Sequence, residues 1–154
     1  MKVIFLDFDG VMDTAYYDYA LIRDRKPNRD AYGPIFDPQC VDYLRQILDQ
    51  TGASIVVSST WKFLMSYAEL LQMWKDRNLP GQIIGVTPTC AGQNRGYEID
   101  LWLQECGEPC QYVIIDDLDG SNFTVEQLSH LLVVNPYNGL DDLITERAIA
   151  ILNQ

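Results

Sequence analysis

Five short apolar runs punctuate the chain: VIFL at 3–6, IVV at 55–57, IIGV at 83–86, VII at 113–115 and LLVV at 131–134. Each is continuous rather than alternating, the pattern of strands buried on both faces of a sheet. Helical spacing lies between them. Val41, Leu44, Ile47 and Leu48 form one stripe, with Asp37 as cap, Pro38 in the first turn and Gly52 as the stop. Ser66 and Glu69 read as a capping box ahead of Leu70, Leu71 and Trp74. Ile99, Trp102 and Leu103 predict a third helix, and the segment from Leu140 to Leu152 a fourth. Strands alternating with helices predict an α/β fold, a three-layer sandwich around a doubly wound, mainly parallel five-stranded sheet.

The 154 residues suit one domain, 1–154, with 47% hydrophobic and 21% charged residues supporting an ordinary core. No apolar run approaches the ~20 residues that span a bilayer. The opening MKVIFLDFDG turns acidic too soon for a signal peptide, so a cytoplasmic protein is expected. Cys40, Cys90, Cys106 and Cys110 lack the paired spacing of a zinc site and read as reduced thiols. His130, the single histidine, borders an apolar run and reads as structural.

The chemistry concentrates where the strands end. VIFL runs into Asp7, Phe8, Asp9 and Gly10; IVV into Ser58, Ser59 and Thr60; VII into Asp116 and Asp117; Arg95 precedes the third helix. Ligands of such sheets bind beyond the carboxyl ends of the strands. Taken singly, DxDG is a turn or calcium loop, Asp-Asp a solvated turn, Ser-Ser-Thr a helix cap and Arg95 a surface cation. Together they place carboxylates, hydroxyls and a cation on one edge. Asp7, Asp9, Asp116 and Asp117 would repel one another without a cation, and hard oxygen donors suit Mg²⁺. Ser58 and Arg95 would then bind phosphoryl oxygens, while Gly10 permits the tight turn after Asp7.

At this point DFDGV resembles the first motif of the HAD (haloacid dehalogenase-like) superfamily, IVVS the second and YVIIDD the fourth, with Arg95 where a lysine is usual. The resemblance implies a HAD-like Rossmannoid phosphatase. In it Asp7 is the nucleophile and Asp9 the general acid and base. Ser58, Ser59, Gly10 and Arg95 surround the substrate phosphate, and Mg²⁺ is held by Asp7, Asp9, Asp117 and, further out, Asp116. An arginine keeps the charge of the usual lysine but changes its donor geometry. SSTWK, RGYEIDLWL, YVIIDD and NPYNGL in order resemble more narrowly the HAD domain of the Swiss Army Knife RNA-repair proteins.

Residues 13–37 show no clear periodicity and are expected to form a short flap on an otherwise capless domain. Within them Arg23, Arg25, Lys26 and Arg29 form a basic cluster beside Tyr16, Tyr17, Tyr19 and Tyr32. That mixture suits either a solvated loop packing on its own aromatics or a surface that stacks a base. An open site suits a phosphorylated small molecule such as a nucleotide, a nucleic-acid terminus, or a partner protein that completes the pocket. The net charge of −11 weighs against tight, generic nucleic-acid binding. Two other classes stay open: a non-catalytic HAD-like binding domain, and a phosphoacceptor receiver, whose motif order fits poorly.

Overall fold

The computed structural model describes every residue from Met1 to Gln154. Five parallel strands form the sheet: β1 (Lys2–Leu6), β4 (Ser54–Val57), β5 (Ile83–Val86), β6 (Gln111–Asp116) and β7 (Leu131–Val133), in the order β5-β4-β1-β6-β7. Helices α2 (Pro38–Thr51), α3 (Tyr67–Asp76), α4 (Arg95–Cys106) and α5 (Asp142–Leu152) join them. The five apolar runs are thus the five strands, and each predicted stripe is a helix.

Both faces of the sheet are covered, unequally. Ile4, Leu6, Ile55, Val57, Val113 and Ile115 point into a large cluster with Leu44 and Ile47 of α2, Leu70 and Met73 of α3, and Ile144 and Ala148 of α5. Val3, Phe5, Val56 and Ile114 face Ile99 of α4 and Phe123 in a smaller one. Residues of one strand divide between two cores, which is why the runs are continuous rather than alternating. The local signals act as read: Asp37 accepts from the Gln39 amide, Gly52 closes α2 at φ 68°, and Ser66 with Glu69 makes a reciprocal capping box. His130 is held by the Tyr112 carbonyl and stacks on the Tyr112 ring.

Residues 13–37 are more structured than their sequence suggests. They hold helix α1 (Ala15–Arg23), capped by Thr14, and a small antiparallel hairpin of β2 (Arg29–Asp30) and β3 (Gly33–Pro34). Helix α1 carries one buried residue, Leu21, too few to leave an apolar stripe in the sequence. The hairpin is pinned to the body by Arg77, which donates to both Asp30 oxygens and to the Gly33 carbonyl. Arg23, Arg25, Lys26 and Arg29 are exposed around the hairpin's approach. No helix is long and apolar enough to cross a membrane.

Candidate active site

The parallel register sets the site. Leu6 pairs with Val57 on one side and Ile115 on the other. The Ser58 amide donates to the Leu6 carbonyl, and the Asp7 amide to that of Ile115. Asp7, Ser58 and Asp116, each the next residue or the last at its strand end, therefore stand level at the carboxyl edge of the three central strands.

Asp7, Asp116 and Asp117 bring carboxylate oxygens within 4.8 Å of one another. Asp7 is 4% exposed and Asp116 fully buried. Asp7 Oδ1 accepts from the Phe8 amide at 2.8 Å, and Asp116 Oδ1 from the Leu118 amide at 2.9 Å. These bonds do not neutralise the group. Burial, then the charge of Asp116, push Asp7 up to about 8, and burial raises Asp116 as well. Oxygen-only donors with excess negative charge fit a small hard cation such as Mg²⁺.

Arg95 supplies the local positive charge. Its Nη1 donates to Asp116 Oδ2 at 2.5 Å and to the Ser58 carbonyl at 2.9 Å, and lies 3.5 Å from Asp7. Burial works to lower its pKa, but the charges of Asp116 and Asp7 outweigh that and hold it charged. Nη1 makes both bonds, leaving Nε and Nη2 for another acceptor. Ser58 Oγ is buried with no hydrogen-bond partner, an uncommon and costly state that a bound acceptor would relieve.

Three expected site residues sit differently from their sequence reading. Asp9 stands outside the trio: Trp61 Nε1 donates to its Oδ1 at 2.8 Å, and its carboxyl lies against that of Asp13. Burial and then the neighbouring Asp9 carboxyl push Asp13 up to about 8. Ser59 caps a single 3₁₀ turn, Thr60–Phe63, its hydroxyl accepting from the Trp61 amide. The Gly10 amide donates back to the Asp13 carbonyl, so it faces its own turn rather than a ligand.

Gly10 instead shapes the trio. Its φ is 78°, and a Cβ there would meet Asp117 Oδ2 at 2.5 Å and Pro136 Cβ at 2.9 Å. Gly10→Ala is expected to displace Asp117 and weaken metal affinity at least tenfold by calorimetric titration. Left-handed strain of ~1–2 kcal/mol should also lower the melting temperature by a few degrees.

Sequence reasoning missed a buried ion pair beside this edge. Lys62 Nζ donates to Glu98 Oε1 at 2.9 Å, to the Thr87 hydroxyl and to the Thr87 and Pro88 carbonyls; its side chain is 6% exposed. Glu98 also accepts from the Cys90 amide. The pair fastens the turn after β4 to the first turn of α4, the turn that opens with Arg95. Lys62 and Glu98 lie within SSTWK and RGYEID, but no local spacing links them.

The constellation sits on an open edge: none of the four cavities is lined by Asp7, Asp9, Ser58, Arg95, Asp116 or Asp117, although the one between α1 and the hairpin reaches Asp13 beside Asp9. No curated protein and no solved structure matches the chain. One family model does, the HAD domain in Swiss Army Knife RNA repair proteins, over residues 3–143. That match takes in every strand and the start of α5, so the chain belongs to the HAD-domain family of the Swiss Army Knife RNA repair proteins.

Proposed function

We propose that this chain is a Mg²⁺-dependent phosphohydrolase working through a phospho-aspartate on Asp7, with a phosphate on a nucleotide or nucleic-acid end as substrate. One observation carries the reading: a carboxylate trio, with Asp7 and Asp116 buried and Asp117 half-buried, gathers at the strand ends where the hydroxyl of Ser58 is buried without a partner. An acidic cluster beside a free donor suits a bound cation sharing an anionic ligand.

In this reading Asp7, Asp116 and Asp117 would hold Mg²⁺, whose charge would offset the repulsion between the nucleophile and the phosphate. Asp7 attacks phosphorus through a carboxylate oxygen, and the bond from phosphorus to the leaving oxygen breaks. Asp9 gives the leaving oxygen its proton, then takes one from the water that hydrolyses the acyl phosphate, restoring Asp7. Ser58 Oγ and the free Arg95 nitrogens donate to phosphoryl oxygens as charge redistributes.

Surface chemistry near the site supports a nucleotide-bearing substrate. Tyr16 and Tyr137 are more than half exposed, with ring centroids 6.0 Å apart, and the Tyr16 amide donates to the Tyr137 carbonyl. Tyr137 follows Pro136, which packs against Gly10, so this aromatic pair borders the acidic edge. Exposed rings offer a stacking surface for a base of any identity.

The test is phosphate release by the native chain, with Mg²⁺ and with chelator, from p-nitrophenyl phosphate, nucleoside monophosphates and 3′- or 5′-phosphorylated oligonucleotides. Release is expected only with Mg²⁺. Saturation at 100 times Kd should also stabilise the fold by ~2.7 kcal/mol, raising the melting temperature by about 5–10 °C. A chain that is stabilised by Mg²⁺ yet releases phosphate from none of these would be a binding domain, not an enzyme.

A further inference from the structure

Trp61 is an unusual neighbour for a candidate proton-transfer group. Its Nε1 donates to Asp9 Oδ1 at 2.8 Å, although Asp9 is exposed and Trp61 is 3% exposed. A buried indole thus reaches outward to a carboxyl at the surface. Its packing leaves it little freedom. Phe8 meets its ring edge-on at 5.2 Å between centroids, and Phe36 lies at 5.6 Å. The Arg77 guanidinium stands over the ring at 5.6 Å, and Gly33 passes so near that a Cβ there would touch Cη2 at 3.4 Å. Ser59 fixes its backbone amide.

We infer that Trp61 is the positioning residue for Asp9, presenting its carboxyl for proton transfer to the leaving group. The inference rests on the reading of Asp9 as general acid and base. Its physical basis is the chemistry of indole, which donates one hydrogen bond and accepts none. Oδ1 is therefore kept as an acceptor, and any proton Asp9 carries resides on Oδ2. Apart from the neighbouring Asp13 carboxyl, nothing else limits the freedom of the exposed Asp9 carboxyl to turn about its terminal torsion. Trp61 removes that freedom before substrate arrives, the condition under which an acid is effective.

The same contacts assign a task to residues 13–37. Gly33 and Phe36 wall the indole, and Arg77, which covers it, is clamped to Asp30 and the Gly33 carbonyl. The hairpin thereby braces Trp61 from outside. In this arrangement it is a buttress for the proton-transfer residue, built from the segment whose sequence is least regular.

The experiment compares two esters in saturating Mg²⁺. An alkyl phosphate expels a strongly basic alkoxide and needs a proton at the leaving oxygen; p-nitrophenyl phosphate expels a stabilised phenolate and does not. Trp61→Phe keeps the ring and deletes the donor. It is expected to slow single-turnover release of the alkyl alcohol roughly tenfold or more, within the general-acid share of catalysis, and to change single-turnover release of p-nitrophenolate by less than about twofold. Hydrolysis of the acyl phosphate, where Asp9 is the base, slows equally for both esters. In an Asp9→Asn background the same change should have no further effect on the alkyl ester. Benzothienylalanine at position 61, which preserves shape and lacks the N–H, should reproduce the selective loss if Trp61→Phe unfolds. Equal losses of single-turnover leaving-group release from both esters with a folded variant, or a full loss persisting without Asp9, would overturn the positioning role. A native chain inactive on both esters would instead bring down the phosphohydrolase reading on which it rests.

Discussion

Asp7→Asn is expected to reduce Mg²⁺-dependent phosphate release by roughly 10⁴-fold or more, the scale of loss when a covalent nucleophile is removed. Asparagine has the same outline, and its Oδ1 can still accept from the Phe8 amide that now donates to Asp7. The fold should therefore survive while the nucleophile does not. The same variant carries a second signature in the metal-free chain. Asp7 titrates near 3.8 in an unfolded chain and about 8 in the folded one, because burial and then Asp116 oppose its charge. Between these values the folded state binds the extra proton, so stability falls as pH rises from about 4 to about 8 and this contribution levels off above. Thermal melts from pH 5 to pH 8.5 should show a decline in the native protein that is shallower in Asp7→Asn. Phosphate release that persists in the variant would exclude Asp7 as nucleophile. A steeper decline in the variant would contradict the electrostatic account of the trio.

What the sequence made legible is the part written in short spacings. Buried parallel strands need continuous apolar runs, and helix ends need capping residues at fixed offsets, so β1 and α2 can be read directly. The level of Asp7, Ser58 and Asp116 follows too, since parallel strands of similar length end together. Contacts that join distant segments leave no such mark. Trp61 and Asp9 meet across 52 positions, and Lys62 and Glu98 across 36. Ser59 was ambiguous for a different reason: a hydroxyl after a strand serves equally as cap or ligand, and only the backbone angle of the following turn decides. Helix α1 escaped because a helix that buries one leucine displays almost no periodicity. The usual lysine of the third motif is Arg95 here, and its fork explains a geometry that residue charge alone does not. One nitrogen bonds Asp116 and the Ser58 carbonyl while two others stay available.

Arg95→Ala is expected to cost about 3–5 kcal/mol, the scale of a buried ion pair broken from one side. Its side chain is 13% exposed and that of Asp116 1%, so water has little access to replace the guanidinium. For a domain of this size the loss corresponds to a melting temperature lower by about 10 °C. The pH dependence separates electrostatics from packing. With Arg95 gone, Asp7 and Asp116 lose the main influence that lowers their pKa values, and both are pushed further toward the neutral acid. Carboxyls protonated in both states need no counter-charge, so the gap between variant and native protein should narrow as pH falls toward 4. It should widen through about pH 8, where ionisation leaves anions buried with no cation. Saturating Mg²⁺ should narrow the gap at pH 8 as well, because a bound dication supplies the missing charge to the same oxygens. Arg95→Lys should lie between, since one ammonium keeps the charge but has a single nitrogen, without the Nε and Nη2 donors and the rigid plane that set Nη1 between Asp116 and the Ser58 carbonyl. A melting-temperature deficit of equal size at pH 4.5 and pH 8.5, unmoved by Mg²⁺, would make Arg95 a packing residue and detach it from the site.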